Sequence, residues 1–264
     1  MDLSTEKMRA YLEGGIGWIV FNNPARHNAV SLEMWEALAL ILESFHYDPS
    51  VRVVVMKGEG CKAFVSGADI SEFDSKRSNI EQKRDYADAS GKAQKWIEKM
   101  EKPLIAMIQG YCIGGGLALA MSADIRFTTP DSKFGIPAAK LGLGYEYSGL
   151  KTLCNLVGPA RAKDIMFTAR LMDSEESYQM GLVNFIVDND SIEKTVKEYA
   201  EIISNNAPLT IEAAKGAINE FCKDPGDRDL AKVQLMIDKC FDSEDYKEGL
   251  LAFKEKRTAR FTGD

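Results

Sequence analysis

The chain has few of the residues that build disulfide scaffolds or metal centres. Its five cysteines (Cys61, Cys112, Cys154, Cys222, Cys240) are odd in number and widely spaced, with no CxxC or CxxH pair. That pattern excludes the usual disulfide and zinc frameworks. Only two histidines are present, too few for a multi-histidine centre, so no metal is expected. Basic charge is also short, with 33 Lys and Arg against 40 Asp and Glu and a net charge of −7. This argues against nucleic acid or an anionic membrane as the main partner, while leaving room for a local basic patch on an anionic ligand. No apolar run approaches the roughly 18–20 residues that span a bilayer. The stretch Met1–Glu6 has neither the basic nor the apolar region of a secretory signal. Together with the thiol usage, these absences lead to the expectation of a cytoplasmic chain. No GxGxxG follows a strand with an acidic residue about 20 positions on, and no glycine-rich loop ends in Lys-Ser/Thr. A nucleotide-dependent dehydrogenase is therefore disfavoured.

What is present is an ordinary globular mix: 264 residues, 45% hydrophobic and 28% charged. Met8 to Leu12 and Ile16 to Phe21 read as strands parted by Gly14-Gly15, and Asn22-Asn23-Pro24 stops the second. Ser31 is placed to cap a helix through Phe45, with Leu32, Trp35, Leu38 and Leu42 at helical spacing. Val51 to Met56, Leu104 to Ile108 and Ile125 to Phe127 read as short buried strands. A helical pattern runs from about Asn79 to Met100, and Gly114-Gly115-Gly116 opens an apolar helix through Met121. After about Gly158 strand signals fade, apart from Leu182 to Val187, and four helical stretches follow: Ile192–Ser204, Leu209–Cys222, Asp227–Phe241 and Ser243–Arg257. The expected organisation is an α/β core over residues 1–190 and a helical C-terminal section over 191–264.

Two glycine-bearing segments follow strands. They are Phe64-Val65-Ser66-Gly67-Ala68-Asp69-Ile70 and Gly110-Tyr111-Cys112-Ile113-Gly114-Gly115-Gly116. Three glycines at a helix start leave amides bare for an anion, or for a carbonyl oxygen becoming one. They equally permit close helix–sheet packing, and the residues alone do not separate the two readings. These segments, in this order and about forty residues apart, resemble the two signature segments of the crotonase (enoyl-CoA hydratase/isomerase) superfamily. The resemblance extends through Asn22–Ala29, Ser122–Ile125, Phe134–Pro137, Leu141-Gly142, Gly181–Val183 and Phe253–Arg257. It implies a ClpP/crotonase-like spiral of ββα units with a helical C-terminal trimerisation section, assembling as a homotrimer or homohexamer. It also implies an acyl-CoA thioester as substrate, with coenzyme A carried on the substrate and no separate cofactor. Ala68 and Gly115 match the two amide donors that hold the thioester oxygen. In general one such donor is worth about 3 kcal/mol in the transition state.

Two departures stand out against the family pattern. Hydratases of the family carry glutamates at the places occupied here by Ala118 and Ala138, and the isomerase branch often keeps the second. A methyl group moves no proton, and general acid–base help is worth roughly 10²–10⁴-fold. A carboxylate does stand at Glu146, eight residues beyond Ala138. Dienoyl-CoA isomerases and 4-chlorobenzoyl-CoA dehalogenase, both of this family, carry a catalytic aspartate at that offset. Glu146 is thus a candidate base or nucleophile, or else a solvated loop carboxylate. Gly67, Asp69, Ile70, Gly114 and the flanking Tyr145 are expected to border the acyl group. Arg26, Ala29 and Lys256, with Arg257, are candidates for the nucleotide half of CoA. Asp69 is expected to hold its loop, Cys112 to be a small core residue, and His27 and His46 to take no part in chemistry. The expected activity is an acyl-CoA transformation such as isomerisation, hydrolysis, decarboxylation or an unusual hydration. The rival is an acyl-CoA-binding protein without turnover.

Overall fold

The computed structural model describes residues 3–69 and 80–264; Ile70 and Asn79 lie outside them. The chain opens with a hairpin of β1 (Met8–Glu13) and β2 (Ile16–Phe21), paired antiparallel from Met8–Phe21 to Glu13–Ile16. A loop containing the 3-10 turn Pro24–Arg26 leads to α1 (Leu32–Tyr47). Ser31 caps α1 as expected, its hydroxyl accepting the Met34 N–H at 3.4 Å. The helix buries Met34, Leu38, Ile41, Leu42 and Phe45, an i, i+4, i+7 stripe on the core side.

Three ββα units follow. The first holds β3 (Val53–Gly58), β4 (Ala63–Val65) and α2 (Ile80–Lys99). The second holds β5 (Leu104–Ile108), β6 (Tyr111–Ile113) and α3 (Gly115–Met121). The third holds β7 (Ile125–Thr128) and β8 (Lys133–Gly135), with α4 (Ala138–Leu141) and α5 (Tyr147–Thr168) behind them. The long first strand of each unit joins a six-stranded sheet, and the short second strand turns into a four-stranded one. The chain is completed by β9 (Met172–Asp173), α6 (Ser174–Gln179), β10 (Phe185–Ile186), α7 (Ile192–Ser204), α8 (Pro208–Phe221), α9 (Leu230–Asp242) and α10 (Glu244–Glu255). The large sheet runs β1-β2-β3-β5-β7-β10 and the small one β4-β6-β8-β9.

The large sheet divides two apolar cores, which is why β2, β3 and β5 read as unbroken hydrophobic runs. Alternate residues serve opposite faces. Val54, Met56, Leu104, Ala106 and Ile108 face the main core with α1. Val53, Val55, Ile105 and Met107 face a second core with Ile16 and Trp18. That second core is closed by Ile192, Val196 and Ala200, one stripe of α7 at four-residue spacing.

Two local expectations are corrected. Leu182 to Val187 does not form one strand. Leu182 and Val183 bond back to the Ser177 carbonyl at 2.9 and 3.2 Å and sink into the main core, leaving Phe185–Ile186 for the sheet edge. Residues 147–168 form an unexpected helical stretch, broken by Gly158 (φ 77°, ψ 160°) before Pro159. That break erases the helical period over the segment. No described helix is long and apolar enough to cross a membrane.

Candidate active site

The site begins with a loop that has no regular structure of its own. Asn23 and Asn28 are both buried and clamp residues 22–29 into one shape. Asn28 Oδ1 accepts the Asn23 amide at 2.9 Å, and Asn23 Nδ2 donates to the Ala29 carbonyl at 3.0 Å. Asn28 Nδ2 reaches across to the Ala63 and Glu59 carbonyls at 2.7 and 3.1 Å, pinning the loop to β4. His27 and Asn28 take left-handed backbone, at φ 51° and 54°. Asparagine tolerates that region better than most residues. The loop thereby delivers Ala29 and Val30 to the segment after β4, where Val30 and Ala68 form a parallel bridge.

In that bridge the Val30 amide donates to the Gly67 carbonyl at 2.8 Å, and the Asp69 amide donates to the Val30 carbonyl at 3.1 Å. Successive amides of extended backbone point to opposite sides. The Ala68 N–H therefore points away from Val30, to the side where β4 pairs with β6. Beyond β6 the chain passes into Gly114-Gly115-Gly116. A Cβ on Gly67 would stand 3.4 Å from the Ile113 carbonyl oxygen, so the two glycine segments are neighbours. Among the described residues neither the Ala68 nor the Gly115 amide has a hydrogen-bond partner. This pairing joins the two segments that the sequence marked.

The three glycines have separate reasons. Gly114 sits at φ 54°, ψ −117°, and its amide donates to the Gly135 carbonyl at 2.8 Å. Gly116 lies where a Cβ would stand 1.9 Å from the Val65 carbonyl oxygen, so α3 rests directly on β4. Gly115, at the first turn of α3, has nothing within 4 Å of its Cβ position. The fold thus requires glycine at 114 and 116 and leaves open space at 115. Gly116→Ala is expected to destabilise the protein by about 1–3 kcal/mol, because the helix must lift off β4. Urea denaturation checks this, with an unchanged midpoint as the contrary result.

The remaining candidates fall into distinct places. Asp69 is buried directly after the bridge. Ala118, in α3, is half-buried, whereas Ala138 is buried at the start of α4. Glu146 occupies the N-cap position of α5 in extended backbone. It is exposed, and its carboxylate caps none of the helix amides. Tyr145 is half-buried against the main core, and its ring crowds Gly149, whose Cβ would meet Cε1 at 2.7 Å. Burial pushes the Tyr145 phenol up, which keeps it protonated and able to donate. Burial likewise pushes the fully enclosed Cys112 thiol up, so it supplies no thiolate. Arg26 is exposed at the end of the 3-10 turn, and its carbonyl accepts the Ala29 amide at 3.0 Å. His27 is exposed, edge-on to Tyr111 at 6.2 Å.

Lys256 ends α10 in left-handed backbone and is exposed. Arg257 is held by both oxygens of Glu248, at 2.6 and 2.8 Å, and by Glu255 at 2.6 Å. Those pairs hold the Glu248 carboxyl down at about 2. Pattern reading left the Asn23–Asn28 clamp undivided within its loop. Its one sequence signal is an asparagine at each end of a Pro-containing turn.

A cavity of about 250 Å³ adjoins this clamp, bounded by His27, Asn28, Glu59, Cys61 and Lys62. A cavity of about 850 Å³ lies elsewhere, between α10 and the C-terminal tail. Asp245, Glu248 and Arg257 line it and are already bonded within the chain. No group of three His, Cys, Asp or Glu among the described residues is placed to hold a metal.

Comparison with known proteins adds to this geometry. The sequence model described as enoyl-CoA hydratase/isomerase matches residues 12–264. The short-chain-enoyl-CoA hydratase of Clostridium acetobutylicum is 35% identical over 245 residues, 93% of each chain. The (E)-benzylidenesuccinyl-CoA hydratase of Thauera aromatica is 30% identical over 250 residues, covering 94% of this chain and 96% of that one. Among solved structures, an enoyl-CoA hydratase/carnithine racemase from Magnetospirillum magneticum superposes with a TM-score of 0.91. It is 38% identical, over 99% of this chain and 97% of that one.

Proposed function

The chain belongs to the enoyl-CoA hydratase/isomerase family of enzymes, and from that premise we propose that it polarises a short-chain enoyl-CoA thioester between the Ala68 and Gly115 amides and moves its proton with Glu146. The observation that carries this reading is the pair of unpartnered amides brought together by the Val30–Ala68 bridge and the seat of α3 on β4. A thioester oxygen bound there gains negative charge as an enolate forms. Fixed donors then stabilise that state without reorganising. The short-chain substrate follows the relatives whose names specify short-chain enoyl-CoA and crotonyl-CoA.

Ala118 and Ala138 stand where the resemblance expects carboxylates, which leaves Glu146 as the proton carrier. One carboxylate is enough to take a proton from one carbon and return it to another. Water addition asks one group to activate water and another to protonate the α-carbon. Double-bond isomerisation is therefore the favoured reaction, and hydration is the second reading, favoured by the names of the relatives. Tyr145 forms a wall of the acyl site, with Gly67, Asp69 and Gly114 bordering the acyl group. Arg26, Ala29 and Lys256 face the nucleotide half of CoA. No cofactor is needed beyond the CoA of the substrate. The same reading extends to a cytoplasmic homotrimer or homohexamer. The oligomeric part of it is supported by exposed apolar residues on the C-terminal helices, among them Leu230, Leu235 and Phe241.

The test offers a β,γ-unsaturated short-chain enoyl-CoA and its α,β isomer in parallel. Interconversion of the two faster than water addition is the expected result. Binding of both without turnover of either would overturn the enzymatic reading of this site in favour of a pure binder.

A further inference from the structure

The Val30–Ala68 bridge has a further partner, on α2. Ala89, Ala93 and Ile97 are the buried stripe of that helix, and Tyr86 stands one turn before them on the same side. The small alanines let α2 pack closely against α1. At the near end of this contact Trp35 Nε1 donates to the Tyr86 hydroxyl at 2.7 Å. That hydroxyl donates in turn to the Val30 carbonyl at 3.3 Å. An indole is a donor only, so the tyrosine oxygen accepts from it and keeps its own proton for the carbonyl. The two bonds run in one direction, and each polarises the next. Trp35 lies one turn into α1, its amide bonded to the Ser31 carbonyl at 3.2 Å. A ring therefore closes: Val30 leads through Ser31 into α1, α1 carries Trp35, Trp35 holds Tyr86, and Tyr86 returns to Val30.

We propose that Tyr86 is a positioning residue for the thioester site, its hydroxyl fixing the Val30 backbone that aims the Ala68 amide. The proposal rests on the preceding reading of Ala68 as a thioester donor. A trans peptide is planar, so the Gly67 carbonyl and the Ala68 N–H point in opposite directions and turn as one. The Val30 amide holds that Gly67 carbonyl at 2.8 Å. Whatever steadies the Val30 backbone therefore steadies the direction of the Ala68 N–H. The Val30 carbonyl accepts twice, from the Asp69 amide at 3.1 Å and from Tyr86 at 3.3 Å. Both of its lone pairs are then in use.

The need for such support is visible in the bridge. It is an isolated pairing that belongs to no named strand. A donor to a developing oxyanion is effective when it is fixed before the charge appears. Tyr86 supplies part of that fixing from a helix, across 56 residues of sequence.

The experiment uses Tyr86→Phe in the full chain, which keeps the ring on the α2 stripe and removes only the hydroxyl. Expected is a fall in kcat of about three- to tenfold with KM within about twofold, because substrate still binds while one donor is aimed less well. The carbonyl stretch of bound crotonyl-CoA should move part of the way back toward its free frequency. Hydrogen exchange in residues 27–31 should quicken, while exchange in β5, residues 104–108, stays at the wild-type rate. A merely structural role gives another pattern: a lower urea midpoint and faster exchange in both segments, with the bound carbonyl frequency unchanged. That pattern overturns the proposal, as do wild-type kcat and wild-type exchange in residues 27–31. The wild-type protein separates the two readings. A full frequency shift that is identical in Tyr86→Phe refutes the role of Tyr86 and leaves the Ala68–Gly115 site standing. A bound carbonyl at its free frequency in the wild-type protein refutes that site and the proposal with it.

Discussion

Glu146→Gln lowers acyl-CoA turnover by about 10²–10⁴-fold while thioester binding stays within about twofold. The size is that of a positioned general acid–base group. Glutamine keeps the shape and polarity of the side chain and loses only the capacity to take up and return the proton. The change is safe for the fold. Glu146 is exposed, and its carboxylate holds none of the amides of α5. Loss of helix stability therefore cannot imitate the effect, and unchanged urea denaturation of the variant should accompany it. Wild-type turnover in Glu146→Gln would remove this residue from the mechanism. Turnover in neither protein, with the thioester still bound, would favour the binding protein over the enzyme.

Gly115→Pro removes one amide donor and is expected to reduce kcat by about 10²–10³-fold. A backbone donor is rarely removable by substitution, but here the structure allows it. Residue 115 is the first of α3, the helical position at which proline is best tolerated. Nothing lies within 4 Å of its Cβ position, and its amide holds no partner among the described residues. The preceding Gly114, at φ 54° and ψ −117°, has the mirror image of the extended backbone that residues before proline favour. The helix should keep its place while the oxyanion loses a donor. Stability within about 1 kcal/mol of wild type, with kcat collapsed, is the expected pair of results. Undiminished kcat would mean that the Gly115 amide does not touch the reacting oxygen.

The parts of this fold that were readable in the sequence are those where burial is continuous. β2, β3 and β5 face apolar cores on both sides, so their hydrophobic runs are unbroken, and β5 spans Leu104–Ile108 as expected. The α7 stripe of Ile192, Val196 and Ala200 likewise fixes that helix at Ile192–Ser204. The small sheet was not legible, since strands such as Ala63–Val65 and Lys133–Gly135 are too short to show a period of two. The stretch 147–168 was hidden by Gly158-Pro159, which interrupts its own pattern.

At the candidate site, the glycines were visible because backbone geometry admits little else at 114 and 116. The resemblance, not their periodicity, gave them a chemical meaning. The Asn23–Asn28 clamp was not visible, because its worth lies in bonds to Glu59 and Ala63, more than thirty residues away in sequence. The fate of Arg257 was hidden for the same reason. Only the fold brings Glu248 to it and ties the two in an ion pair.

The central claim is that two amides polarise the thioester carbonyl. The direct measurement is the carbonyl stretching frequency of an isotope-labelled crotonyl-CoA thioester, free and bound, by difference vibrational spectroscopy. The account predicts a clear fall in frequency on binding to the wild-type protein and to Glu146→Gln. Part of that fall should be recovered on binding to Gly115→Pro. A bound thioester whose carbonyl vibrates at its free frequency in the wild-type protein would contradict the account.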